Sequence, residues 1–478
     1  MKIGHDGGLR FIVIMMSAAL VSCTVGPDYQ PPSMKVSEVW INPVEPGFVD
    51  AAWWRRFNDP LLSALVERAI SGSKDIAVAT ARLREARALR DAVQGRELPQ
   101  TGVSASAVQN RLSENGQLPV GKVPGLGRDL AIFDGGFDAS WELDLWGGTR
   151  RAIESAEARA SAADEARRGV VIQTIAEVVR AYVDLRAAQL LGSNAVADAE
   201  AQKQIAALVA VRMRAGIASR AELARAEAIA HSTTASVPHY GAEADAAAFR
   251  IALLLGEPPE TLYESLIKPQ PLPRASQSVH AGLRSDLLQR RPDIRRAERE
   301  LAAATADIGI ATAELFPHFS LLGGIGFQAR TVDDFFSGNS LRFQAGPMLR
   351  WPLFSGGRVR AQIRAADARA AAALALYERT VLTALSDSET ALNRYAAARR
   401  VRIERQAASA ASAQAIRFSR ERYRAGEDDL TTLLQAELAR HAASNAELQS
   451  SAAELQQLAA LYKALGGGWE AAENPSAR

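Results

Sequence analysis

Two segments of the chain keep a strict two-residue period. In "FDASWELDLW", Phe137, Ala139, Trp141, Leu143 and Leu145 alternate with Asp138, Ser140, Glu142 and Asp144. In "LRFQAGPMLRWPLF", Leu341, Phe343, Ala345, Pro347, Leu349, Trp351 and Leu353 share one face, opposite Arg342, Gln344 and Arg350. This alternation predicts strands with one oily and one wet face. Weaker partner strands precede each, the second with Phe319, Leu321, Ile325 and Phe327 in phase. Strands are therefore expected at about 100–111, 136–146, 318–330 and 341–353, each long enough to cross a bilayer when tilted.

Elsewhere the period lengthens to heptads. From Val359 an apolar seam runs through Ile363, Ala366, Ala370, Leu374, Tyr377, Val381, Leu385, Ser388, Leu392 and Tyr395. No proline interrupts Arg358 to Arg424, which predicts roughly 100 Å of helix at 1.5 Å per residue. A return helix carries Leu430, Leu434, Leu438, His441, Asn445, Leu448, Ala452, Leu455, Ala459 and Tyr462 on its seam. An earlier helix between Gly148 and Gly216 does the same with Val171, Ile175, Val178, Tyr182 and Leu185.

The order of elements occurs twice. The spacing from Asp75 to Pro99 equals that from Asp293 to Pro317, and "RMRAG" ending at Gly216 matches "RYRAG" ending at Gly426. The chain therefore reads as a tandem duplication, with repeat 1 over 59–256, a linker over 257–279, repeat 2 over 280–466 and a tail over 467–478. At the N-terminus, Arg10 precedes the apolar run "FIVIMMSAALVS" and then Cys23, the only cysteine. Residues 1–22 read as a secretory signal with "LVSC" as a lipobox, Cys23 as the lipidated residue, and 23–58 as a lipid-anchored, extended tether. Thr24 after the cysteine favours the outer membrane.

Composition removes several classes. The 478 residues are 48% hydrophobic and 23% charged with a net charge of +2, so neither disorder nor a nucleic-acid partner is implied. A single cysteine and six histidines without ligand spacing leave no expected metal site or cofactor. No GxSxG, HExxH or P-loop occurs, and "GGIGFQA" (Gly323–Ala329) lies in a strand pattern, so no enzyme is expected. Long heptads alone would suit a soluble coiled-coil scaffold, or a lipid-anchored periplasmic adaptor. Four strands with oily faces do not suit a scaffold, and two duplicated hairpins do not suit an adaptor. Four strands also cannot close a membrane barrel alone, and open edges in lipid leave backbone groups unsatisfied, so several chains must share one barrel. Trp141, Trp146, Trp351 and Phe354 suit an interfacial aromatic girdle, with core packing as the alternative.

The motifs "LVSC", "VGPDYQPP", "WWRRFNDPLLSALV", "RPDIRRAE", "WPLFSGGR", "RYRAG" and "LYKALGGGW" stand in order over nearly the whole mature chain. In them the sequence resembles the outer-membrane factors of tripartite efflux pumps, in the NodT or OprM-like lipoprotein branch of the TolC superfamily. The resemblance implies a mainly α fold with membrane β: a homotrimer whose long helical hairpins form a periplasmic α-barrel continuous with a shared twelve-stranded transmembrane β-barrel. It implies an outer-membrane exit duct, passive in itself. Its expected partners are a periplasmic adaptor (membrane fusion protein) and an inner-membrane transporter, usually proton-driven and of the RND type.

Gly216 and Gly426 are expected at the two hairpin turns, where glycine alone takes the left-handed conformation cheaply. Ser219 with Glu222 forms a capping box, and Asp428 or Asp429 caps the helix that carries Leu430. Glu427, Asp428 and Asp429 together exceed what capping needs. The resemblance implies that acids at the second hairpin line a periplasmic gate; Asp428 and Asp429 are the leading candidates, with Glu427 and Tyr423 behind them. Arg214, Arg220, Arg225, Arg422 and Arg424 are the candidate salt-bridge partners. Asp138, Glu142 and Asp144, opposite the oily strand face, are expected in the barrel lumen or at its rim.

Overall fold

The computed structural model describes residues 24–41, 47, 49–113, 127–275 and 281–473. The signal segment 1–22, the lipidation residue Cys23, parts of the tether and linker, and the last five residues lie outside the described ones. The chain divides into two compact units, and each repeat contributes to both. The first comprises Met1–Pro32, Arg84–Ala162 and Ala297–Tyr377; the second comprises Ser33–Leu83, Ala163–Arg296 and Glu378–Arg478.

The first unit holds the strands. β1 (Gln100–Arg111), β2 (Asp129–Leu143), β3 (His318–Ala329) and β4 (Leu341–Arg350) form one antiparallel sheet in the order β1-β2-β3-β4. Residues directly opposite in an antiparallel ladder share a face. Val103, Phe137, Ile325 and Phe343 lie in one such row across all four strands, and all four are exposed. Trp141, Leu321 and Leu349 extend the same oily face. The opposite face carries Gln100, Ser104, Asp134, Asp138, Ser140, Glu142, Ser320, Gln328, Arg342 and Gln344. A β-carbon added to Gly326 would meet the Gly135 carbonyl oxygen at 2.4 Å, so glycine there permits the close approach of β2 and β3.

Two strands differ from expectation. β2 begins seven residues earlier than 136 and stops at Leu143 rather than 146. β4 stops at Arg350 rather than 353, because the chain turns there and Leu353 N–H donates to the Trp351 carbonyl (3.0 Å). The first residues of the described chain are docked within this unit. Val25 N–H donates to the Trp146 carbonyl (3.0 Å), Asp28 pairs with the buried Arg151 guanidinium (2.6 Å), and Tyr29 Oη donates to Glu298 (3.0 Å). Burial and the Glu298 carboxylate together raise the Tyr29 phenol. Trp146 stacks on Phe316 (4.8 Å between centroids), so here the packing role expected as the alternative holds.

In the helices, α1 is Pro60–Gly72, α2 Lys74–Gln94, α3 Gly148–Arg214, α4 Arg220–Leu255, α5 Pro259–Leu266, α6 Pro292–Ala313, α7 Arg358–Ala425 and α8 Leu430–Ala464. No described helix is both long and apolar enough to cross a membrane. The second unit is built on the seams of α3, α7 and α8. Val171, Ile175, Val178, Tyr182 and Leu185 are all buried there, as are Leu455, Ala459 and Tyr462. Trp53 stacks on Tyr462 at 5.0 Å, and Trp54 and Phe57 are buried beside it. Residues 53–57 form a 3₁₀ turn, so the expected extended tether over 23–58 ends before this core. The tryptophans bury too much apolar surface to remain in a free linker. Arg186 is fully buried and donates to the Leu266 and Lys268 carbonyls, at the electronegative C-terminal end of α5. Tyr182 donates to Asp59 (2.7 Å); burial first, then this bond, pushes its phenol up to about 12.

Two seam positions differ from expectation: Leu374 of α7, which is 37% exposed, and Leu438 of α8. Leu438, expected inside, is 47% exposed, whereas Glu437 is fully buried. The inward face of α8 passes from Leu434 to Glu437 to His441, steps of three and four, and leaves Leu438 outside.

Candidate functional site: the hairpin tips and the polar sheet face

Both hairpins turn by the same backbone device. Gly216 (φ +75°) and Gly426 (φ +80°) are left-handed. Ile217 N–H donates to Arg212 O (2.9 Å) and Gly216 N–H to Met213 O (3.0 Å). The second tip repeats this with Glu427 to Arg422 (2.9 Å) and Gly426 to Tyr423 (3.2 Å). These are paired 6→1 and 5→2 bonds, which satisfy the last carbonyls of α3 and α7. Ser219 and Glu222 then form the expected capping box on α4, at 3.1 and 2.6 Å.

The three acids of the second tip divide into three situations. Asp429 occupies the cap position, accepting from Thr432 N–H at 2.7 Å. That backbone bond, with a smaller contribution from the Arg225 charge, holds its carboxyl below the usual carboxylate range. Asp428 is half-buried (15% side-chain exposure) and pairs with Arg422 at 3.0 Å. Glu427 is exposed and lies 3.7 Å from the same guanidinium. Arg422 is thus the direct partner of two acids and Arg225 an electrostatic neighbour of the third. Arg214 donates to its own helix at Ala210 O, and Arg220 and Arg424 are exposed; among the described residues none of these three makes an ion pair with the tip acids. Tyr423 is buried beneath the Arg212 guanidinium (5.1 Å), packed with Val209, Ala226, Ile416 and Leu434. Its aromatic ring is a packing element of the tip within the chain.

On the sheet, Asp138 and Glu142 lie on the polar face as expected. Ser104 Oγ donates to Asp138 (2.8 Å), and Glu142 meets His318 Nδ1 at 2.7 Å. Asp144 is a correction. It lies beyond the end of β2 and accepts from Thr149 N–H and Arg150 N–H, both at 3.0 Å, capping α3 and pairing with the Arg150 side chain. A helix begins four residues on, and its first free N–H groups draw the carboxylate away from the strand phase. Sequence reading missed Asp134, which accepts from Arg342 Nε (3.0 Å) and Gln328 Nε2 (2.7 Å) across three strands. Arg342 was already placed on the wet face; Asp134 fell outside the expected strand. Among the described residues no His, Cys, Asp and Glu group could hold a metal ion.

Comparison with known proteins agrees with this geometry. The family model described as outer membrane efflux protein matches residues 65–257 and 283–467. The chain is 32% identical over 432 residues to the pyoverdine export outer membrane protein OpmQ of Pseudomonas aeruginosa, covering 89% of each. It is 32% identical over 476 residues to nodulation protein T of Rhizobium leguminosarum bv. trifolii, covering 98% of each. Among solved structures it resembles the outer-membrane channel OprN, with a TM-score of 0.85 and 40% identity over 94% of this chain and 100% of that one. It also resembles the open state of the Neisseria gonorrhoeae MtrE outer membrane channel, with a TM-score of 0.80 and 27% identity over 94% and 99%. With a sheet that is oily on one face and polar on the other, two long hairpins, and relatives that match from end to end, this chain belongs to the outer membrane efflux protein family, whose members form the exit channels of efflux systems.

Proposed function

We propose that three copies of this chain share one twelve-stranded barrel and carry substrate passively from a periplasmic adaptor and an RND-type inner-membrane transporter to the cell exterior. The observation that carries the reading is the sheet itself. Its oily face is exposed from Val103 to Phe343, its other face is polar, and among the described residues β1 and β4 each have an edge that pairs with no further strand. Lipid removes the cost of the oily face, neighbouring copies satisfy the edges, and the polar face then lines water. Outer-membrane extracts should contain a heat-modifiable trimer that conducts in planar bilayers. A monomer without conductance would overturn the reading.

A lipid on Cys23 completes this arrangement. It is supported by the docking of the first described residues, where Val25 N–H donates to the Trp146 carbonyl and Thr24 packs on Gly147, just past the end of β2. Loss of labelled palmitate from the Cys23→Ala variant tests it. For the periplasmic gate, Asp428 is the best-supported acid, because Asp429 is committed to its cap. Asp428→Ala should raise conductance and lower cation selectivity; an unchanged reversal potential would remove Asp428 from the gate. Crosslinking at Asp428 followed by co-purification tests which transporter class is bound.

A further inference from the structure

The turn between β3 and β4 lies at the end of the sheet opposite to the one where α2, α3, α6 and α7 join the strands. It is held by its own bonds. Thr331 Oγ1 donates to the Asp334 carboxylate (2.7 Å), Phe335 N–H to the Val332 carbonyl (3.1 Å), and Ser340 Oγ to the Asp334 carbonyl (2.7 Å). These bonds shape the turn without help from its aromatic rings. Phe335 and Phe336 nevertheless cluster with Phe327 of β3, the ring centroids 4.9 to 6.1 Å apart.

The cluster sits on the oily face. Phe327 pairs with Gly135 and Leu341, in phase with Ile325 and Phe343. A β-carbon added to Gly135 would meet the Phe335 ring at 3.1 Å, so that ring lies over bare backbone of β2. Phe336 stands edge-on to both other rings and is 80% exposed. The turn is therefore folded back over β2 and β3, the inner strands. Pairing with a further copy of the chain would use the edges of β1 and β4 instead.

Trp141 is the only tryptophan or tyrosine in the four strands. It lies toward the helix-bearing end of the oily face, and Trp351 follows β4 at the same end. Their indole N–H groups donate to the Glu97 and Leu315 carbonyls. An apolar ring with a bonded polar tip suits a membrane–water boundary. Leu143 and Phe133 lie ten residues apart on this face of β2. At about 3.3 Å per residue and a tilt of about 40°, that span is about 25 Å high, the height of the apolar band of a membrane barrel. Phe335, over Gly135, stands at the outer limit of this band, where the strands supply no tryptophan or tyrosine.

We propose that the β3–β4 turn is a lipid-contact element, in which Phe335 and Phe336 enter the acyl chains at the outer-leaflet boundary and supply the aromatic belt on that side. The inference rests on the reading of the sheet as part of a barrel in lipid. The lipid that covers exposed Ile325 and Phe343 continues onto the turn, because Phe327 joins the two on one face. A phenylalanine ring has no polar atom to place in water, so an exposed one beside that face gains by entering the same lipid. The polar groups beside it do not oppose this, since Asp334 is engaged by Thr331 and Ser340 within the turn.

The test is the accessibility of a spin label in the full-length trimer, reconstituted in phosphatidylcholine vesicles. Molecular oxygen concentrates among acyl chains, whereas a water-soluble nickel chelate stays outside them. The oxygen-to-nickel relaxation ratio of a label on Phe336→Cys should be severalfold above that on Glu427→Cys, at the exposed hairpin tip. It should approach that on Ile325→Cys, on the oily face of β3. The native chain, whose only cysteine is Cys23, is the labelling blank. Should Phe336→Cys fail to assemble as a heat-modifiable trimer, Phe335→Cys is read in the same way. A Phe336 label as open to the chelate as the Glu427 label places the turn in water and overturns the proposal. A label shielded from both reagents means that another chain covers the ring, and overturns it too. Chelate access at Ile325 overturns the barrel reading and the lipid contact together, whereas oxygen access at Ile325 without it at Phe336 removes only the turn.

Discussion

Replacing Gly426 by alanine isolates what the turn itself contributes. The backbone there has φ +80°, and a β-carbon added at this position would meet nothing within 4 Å. The cost is therefore conformational and not steric crowding by neighbours. A left-handed L-residue costs roughly 1–2 kcal/mol, and the stiffer unfolded chain of alanine offsets about 0.4–1 kcal/mol of that by lowering the entropy lost on folding. The net destabilisation is about 1 kcal/mol, or about a fivefold rise in local opening. Hydrogen exchange of the tip amides should accelerate by that factor, while the amides of the main core around Tyr462 should not change. Gly216, with φ +75° and equally open surroundings, is the internal control: Gly216→Ala should show the same acceleration at its own tip. Gly426→Asn should recover part of the loss, since asparagine enters the left-handed region more readily. Only the Gly426 variants should raise channel conductance, because only that tip carries Glu427, Asp428 and Asp429. Unchanged exchange at the Gly426 tip, or a loss that spreads to the core, would refute the reasoning.

Asp429→Ala should accelerate exchange at Thr432 N–H, its cap partner. The folded carboxyl titrates below its ordinary value, so its contribution is full above the unfolded pKa and is lost as pH falls through the lowered one; native and variant exchange should converge in that acid window. Asp144→Ala should cost about 1 kcal/mol through loss of the α3 cap, read as a lower thermal midpoint, and leave ion selectivity unchanged. Trp53→Ala removes a buried ring stacked on Tyr462 and should cost about 3–5 kcal/mol, seen as loss of the heat-modifiable trimer from the outer membrane.

Much of this architecture was legible because it repeats along the chain at short range. Strand phase is a period of two, and it placed Phe137, Ile325 and Phe343 on one face before any neighbour was known. A glycine followed by a cap residue announces a turn by backbone sterics alone, and Gly216 with Ser219 and Gly426 with Asp429 do so at equal spacing. The duplication made each observation in one copy a check on the other.

The electrostatic roles needed the folded chain. Asp428 and Asp429 are adjacent carboxylates, yet one pairs with Arg422 and the other closes on Thr432 N–H, a choice made by the direction of α8. Asp144 continues the strand pattern in sequence but is drawn to the free N–H groups at the start of α3. Glu437 and Leu438 compete for one inward position, and heptad spacing admits either. The buried Glu437 accepts from Arg420, seventeen residues away beyond the turn, and Arg440 donates to Asp198 of the other repeat. Local periodicity determined the strands, the hairpins and where the chain reverses. The tertiary structure decided which charges are buried, paired or free, because a carboxylate's partners are set by which helices meet and not by its neighbours in the chain.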